Sequence, residues 1–169
     1  FELYVKFHKK MDDDGELEEK GREWASKIEK KDGEAYELWK RFREESIRYH
    51  KNDYERMGIE FDRWTGESTM LEETENALQE GIEKDVIQQD PDGSLYVDFE
   101  DYPTTILRKA DGTTLYLSRD IANLKKRKMV EGFDLNLYIV GSEQSLHFKQ
   151  LFNMCERMGM NTEGCEHIS

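Results

Sequence analysis

Five polar side chains in this sequence have the types and placement to do chemistry on a charged ligand: Glu67, Tyr116, Asp120, Gln144 and His147. Carboxylates such as Asp120 and Glu67 hold a cation through charge-assisted hydrogen bonds, and two of them can wall one pocket. A phenol such as Tyr116 can close that pocket by hydrogen bonding or by lying against the cation. The amide oxygen of Gln144 can accept from an amino group. Each residue also has a structural role open to it. Asp120 suits the first turn of a helix, where the backbone dipole favours an acid. Tyr116 can be a packed aromatic, Gln144 a surface residue at a helix start, and His147 a core histidine.

The elements around these residues decide between the two roles. Asp111-Gly112 signals a turn. Thr113 to Leu117 is a β-branched and aromatic run that reads as a strand. Ser118 then offers an N-cap hydroxyl, and a helix follows to about Glu131 with Gly132 as its stop. Leu135 to Val140 is an apolar run that fits a strand buried on both faces of a parallel sheet. Gly141 ends it. A second helix runs from about Gln144 to Met158, with His147, Phe148, Leu151, Phe152 and Cys155 on its buried side and Gly159 beyond. The expected fold is α/β, with a parallel βαβ unit over Thr113–Met158. Such sheets bind ligands at the carboxyl ends of their strands, where Tyr116, Asp120, Gly141, Gln144 and His147 would fall.

Gly112 to Asp120 (GTTLYLSRD) and Val140 to Gln150 (VGSEQSLHFKQ) resemble the catalytic core of arginyl-tRNA synthetases, a class I group. Leu3 to Lys9 (LYVKFHK) and Leu38 to Arg43 (LWKRFR) resemble the same family in the same order, so the resemblance spans nearly the whole chain. It implies an incomplete Rossmann-like nucleotide-binding core with helical and β-hairpin insertions. It also implies ATP-dependent activation of L-arginine and transfer to tRNA(Arg), with Mg2+ arriving on ATP. Tyr116, Asp120 and Gln144 match the family positions that bind the amino acid, and Glu67 the one that contacts the guanidinium. Gly141 and His147 match the nucleotide side. The family's two ATP signatures, His-x-Gly-His and Lys-Met-Ser-Lys-Ser, occur nowhere in these 169 residues. They are expected before Phe1 and after Ser169, so no catalytic group is assigned here and the segment alone is expected to be inactive. The implied setting is cytoplasmic, with a mitochondrial one left open.

The remaining chain reads as follows. Leu3 to Met11 fits a strand or a helix by periodicity, and the resemblance favours a helix. Asp12-Asp13-Asp14 is an acidic turn with little claim to a metal. Helices are expected over Glu16–Lys30 and Glu34–Met57, with Trp39 and Phe42 in the core. His50 reads as a surface histidine. Ile59 to Trp64 reads as a short strand that would put Glu67 at its end. Thr69-x-x-Glu72 is a capping box opening a helix to about Lys84. Val86–Gln89 and Ser94–Phe99 flank Asp90-Pro91-Asp92-Gly93 as a hairpin, and Thr105–Arg108 is a further strand. The expected division is a helical insertion over 1–34, a core helix and strand over 35–66, a helix and hairpin insertion over 67–108, and the second half of the Rossmann-like core over 109–169.

The net charge of −13 makes the segment a poor match for nucleic-acid backbone, so most tRNA contacts are expected outside it. No run of 18 apolar residues is present to span a membrane. Cys155 and Cys165 do not make a disulfide framework and fit a reducing compartment. With His167 they supply only three zinc ligands at an unfamiliar spacing. Two other functions fit parts of the pattern: another class I synthetase or adenylyltransferase, and a noncatalytic acidic α/β interaction module.

Overall fold

The computed structural model describes residues 2–12, 14–66 and 70–169. It divides into two units, residues 1–64 and 65–169. No helix among the described residues is long and apolar enough to cross a membrane.

The first unit is three helices: α1 (Glu2–Met11), α2 (Gly15–Glu29) and α3 (Gly33–Arg56). The ambiguous first segment is therefore helical. Asp14 of the acidic turn caps α2, its carboxylate accepting from the amides of Glu16 (3.1 Å) and Leu17 (3.2 Å). The exposed faces carry pairs one turn apart, including Lys20–Glu16 and Lys27–Glu23. Trp39 is half-buried and stacks on Tyr36 at 5.5 Å. Phe42, expected in the core, is instead 63% exposed. The α3 stripe is longer than the apolar surface that α1 and α2 offer it, so only Ala35 of α3 is fully buried.

The strand expected over Ile59–Trp64 is not formed. After Gly58 the chain folds back, and the Ile59 amide donates to the Tyr54 carbonyl at 2.9 Å. Phe61 and Trp64 then meet Tyr54 edge-on, at 4.7 and 5.9 Å. Aromatic packing takes the place of ladder pairing. Glu67 itself, and Thr69 of the expected capping box, lie outside the described residues.

The second unit opens with α4 (Leu71–Glu83), followed by β1 (Gln88–Gln89), β2 (Leu95–Val97) and β3 (Thr105–Arg108). These strands form an antiparallel sheet in the order β1-β2-β3. The expected hairpin and third strand are thus present. Asp92 fixes the hairpin turn by accepting from the Ser94 amide (2.9 Å) and hydroxyl (2.7 Å).

Next come α5 (Tyr116–Lys126), a π-helical turn over Arg127–Glu131, β4 (Asn136–Ile139), a 3-10 turn over Ser142–Gln144, α6 (Ser145–Arg157) and β5 (Cys165–Ile168). Strand β4 pairs parallel with β5, with Asn136 opposite Cys165 and Ile139 opposite Ile168. The parallel βαβ unit is therefore β4-α6-β5, one element later than expected. Gly164 lets β5 begin: its φ is +79°, and a Cβ there would sit 2.2 Å from the Asp134 carbonyl oxygen. Leu137 and Ile139 are 44% and 76% exposed, so β4 is covered on one face rather than two. The core joins Leu78 of α4, Leu95, Val97 and Leu107 of the antiparallel sheet, Ile121 and Leu124 of α5, and Leu151, Met154 and Cys155 of α6.

Candidate functional site

The chain leaves β3 through a tight turn at Asp111-Gly112. Gly112 has φ +88°, which glycine adopts without strain. Its amide donates to the Lys109 carbonyl and the Thr113 amide to the Asp111 carboxylate, both at 2.9 Å. Thr114 then bridges antiparallel to Arg108, and the Leu115 amide donates to the Leu107 carbonyl at 2.8 Å.

The expected strand over Thr113–Leu117 goes no further than this. Leu117 is the first member of a buried helical stripe with Ile121 and Leu124, at spacings of four and three. That stripe holds the helix start at Tyr116, with Leu115 as N-cap. Ser118 is accordingly inside the helix rather than its cap. Its fully buried hydroxyl lies 3.0 Å from the Leu107 carbonyl and also reaches that of Leu115, tying the first turn of α5 to β3.

Helix geometry places Tyr116 and Asp120 one turn apart on α5. Tyr116 is 69% exposed at the helix start, so it is not a packed strand aromatic. Asp120 is partly buried, and its Oδ2 lies 2.7 Å from Nε2 of His147 on α6. The His147 ring stands edge-on to Phe148 at 5.3 Å, which fixes its plane. Gln144 sits one turn before His147, exposed at the junction of the 3-10 turn and α6. Four of the singled-out residues thus form a chain of neighbours: Tyr116 to Asp120 along α5, Asp120 to His147 across, His147 to Gln144 along α6.

The scaffold differs from the expected one. Tyr116 and Asp120 follow β3 and Gln144 and His147 follow β4, and these strands lie in separate sheets rather than side by side in one. What joins the halves is the packing of α5 on α6 and the Asp120–His147 bond. Gly141 leads out of β4 with φ −52°, which any residue adopts. A Cβ there would meet the Glu143 carboxylate at 2.5 Å, an end free to swing away, so the fold itself gives no reason for glycine at 141.

The sequence gives no direct sign of the Asp120–His147 partnership, since its patterns point the two residues to different ligands. A polar residue one turn into each of two consecutive helices is the available signal. His167 of β5 faces Phe148 from the other side, its ring stacked at 4.6 Å and its Nε2 2.7 Å from the Val140 carbonyl. This gives the imidazole a structural place in the βαβ unit.

Comparison with known proteins gives this geometry a family. The model for "tRNA synthetases class I (R), catalytic domain" matches residues 1–169. An arginine–tRNA ligase of Halothermothrix orenii is 41% identical over 169 residues, covering 98% of this chain and 30% of that protein. One of Bacillus cereus is 41% identical over 171 residues, covering 99% and 30%. The crystal structure of arginyl-tRNA synthetase from Plasmodium falciparum superposes with a TM-score of 0.79 over 92% of this chain and 28% of that one, at 20% identity, a likeness of fold. The chain thus spans about 30% of the length of the curated relatives it matches. It belongs to the family of class I (R) tRNA synthetase catalytic domains.

Proposed function

We propose that the chain is the part of an arginine–tRNA ligase catalytic domain that holds the amino acid and one side of the nucleotide. In this reading the complete enzyme activates L-arginine with ATP and transfers it to tRNA(Arg). Its setting is the reducing cytoplasm or mitochondrial matrix. The β4-α6-β5 unit is one piece of a Rossmann-like core.

The observation that carries the reading is the Asp120 carboxylate, fixed on one oxygen by His147 and one helical turn from Tyr116. A guanidinium is always charged and rich in donors, and a carboxylate held in one orientation can meet it with little further ordering. Tyr116, open at the helix start, supplies a face or a hydroxyl, and Gln144 an amide oxygen for the α-amino group. Gly141 and His147, beyond the end of β4, would face the nucleotide. In this reading Mg2+ arrives with ATP.

Adenylation needs positioning and charge stabilisation at the α-phosphate, with the arginine carboxylate as nucleophile. No residue here need act as a base. Pyrophosphate exchange tests the reading. The complete ligase should exchange with arginine and not with lysine, while the 169-residue chain alone should not exchange, with or without tRNA. Equal exchange with lysine, or turnover by the chain alone, would overturn it.

A further inference from the structure

The C-terminal end of α5 and the π turn that follows carry four consecutive basic residues, Lys125-Lys126-Arg127-Lys128, in a chain whose net charge is −13. The helix widens there into the π turn, a distortion often found at functional positions. Lys126 pairs with Glu73 at 2.8 Å, and the Arg127 guanidinium lies over the Tyr138 ring. Lys125 and Lys128 instead line a cavity of about 210 Å³ with Lys84, Glu80, Met129, Met158, Gly159 and Met160. None of the residues placed in the arginine site belongs to it.

Two ammonium groups, those of Lys84 and Lys125, meet the Glu80 carboxylate in this cavity, and Lys128 also lines it. Lys125 and Lys84 both donate to Glu80, which holds that carboxyl below its usual range, and Lys84 also reaches the Met158 carbonyl. The Lys128 ammonium lies 4.6 Å from the centre of the Phe133 ring and 3.5 Å from the Glu163 carbonyl. An ammonium has three N–H donors, so these interactions leave donors at Lys84 and Lys125 and a positive charge that Glu80 only partly offsets. The volume is several times the ~30 Å³ that a water molecule occupies in the liquid. Lysine ammoniums without an arginine fork suit phosphate more than a planar carboxylate. The three methionines add a soft apolar wall of the kind a sugar or base can lie against.

We propose that this cavity is a site for the phosphate group of a nucleotide, either in an RNA backbone or free. Only the choice of RNA as a source rests on the ligase reading.

The test uses the complete ligase with two probes, tRNA(Arg) by filter binding over a salt series and AMP by calorimetry. Lys125→Gln with Lys128→Gln is compared with Lys20→Gln plus Lys27→Gln, an equal charge change on α2. The first pair should weaken at least one probe about tenfold, and for tRNA it should lower the salt slope by about one for each lysine–phosphate pairing removed. The second pair should leave both probes unchanged. Weakening confined to tRNA names an RNA phosphate, and weakening confined to AMP a free nucleotide. Equal effects from both pairs, or none from the first, overturn the proposal. Should the first pair fail to fold, Glu80→Gln decides: removing the competing carboxylate should tighten binding severalfold, and unchanged binding overturns the site. Asp120→Asn is scored on the Michaelis constant for arginine against that for ATP, and the lysine pair on binding of tRNA and AMP, so failure of the arginine site and failure of this one are told apart.

Discussion

The Asp120 carboxylate and the His147 imidazole meet at 2.7 Å between α5 and α6. The bond joins the residue that follows β3 to the residue that follows β4, although those strands share no sheet. In the proposed reading His147 positions Asp120. His147→Ala should therefore raise the Michaelis constant for arginine in the complete ligase about five- to tenfold, the effect of roughly 1–1.4 kcal/mol of lost ordering. His147→Gln, which keeps a donor, should recover part of it. Steady-state kinetics on both variants check this, and a change in kcat alone would place His147 elsewhere in the reaction.

Ser118 joins α5 to β3 from inside the helix, with no exposure to solvent. Ser118→Ala removes the donor while the Leu107 carbonyl keeps the Leu115 amide, so the loss is one net hydrogen bond, at a cost of about 0.5–1.5 kcal/mol. Urea unfolding should show a lower midpoint with an unchanged slope.

Burial pushes the Cys155 thiol up to about 12. It pushes the Tyr138 phenol up to about 12 as well. Both groups are neutral when folded and ionise at lower pH once unfolded. Their contribution is complete below the ordinary thiol value of about 9 and is lost as pH rises toward 12. Cys155 alone accounts for something on the order of 4 kcal/mol over that window. The chain should thus lose stability steeply on the alkaline side, and Cys155→Ala should flatten the slope while costing stability at neutral pH. Equal slopes in the two proteins would show that Cys155 ionises as readily folded as unfolded.

Leu135, Leu137, Ile139 and Ile168 leave one face of the β4–β5 sheet open. Parallel sheets are ordinarily covered on both faces. The isolated chain should bind a hydrophobic dye there, and Leu137→Lys with Ile139→Lys should lower the signal while circular dichroism stays unchanged.

Much of this fold is legible in the sequence because its signals are long or chemically specific. The 24 residues of α3 repeat a helical period many times, and Asp90-Pro91-Asp92-Gly93 admits little but a turn. Pattern misleads where a few residues have to decide. Thr113–Leu117 has strand composition, but Leu117 belongs to a stripe that continues to Leu124 in helical register. Cys165–Ile168 is four residues long with one strongly apolar member, and only its pairing with β4 makes it a strand. Tyr116, Asp120, Gln144 and His147 stand out by type and place. The bond between Asp120 and His147 does not, because it depends on how α5 and α6 pack, which no local pattern encodes.

The central claim is that Asp120 holds the arginine side chain, and Asp120→Asn in the complete ligase tests it most directly. The change preserves shape and removes charge. Breaking one side of a desolvated charge pair costs about 3–5 kcal/mol. The Michaelis constant for arginine should therefore rise several-hundred-fold or more, at roughly tenfold per 1.4 kcal/mol, while that for ATP moves little. An equal shift in both constants would contradict the account and leave Asp120 as an acid that serves only the contact between α5 and α6.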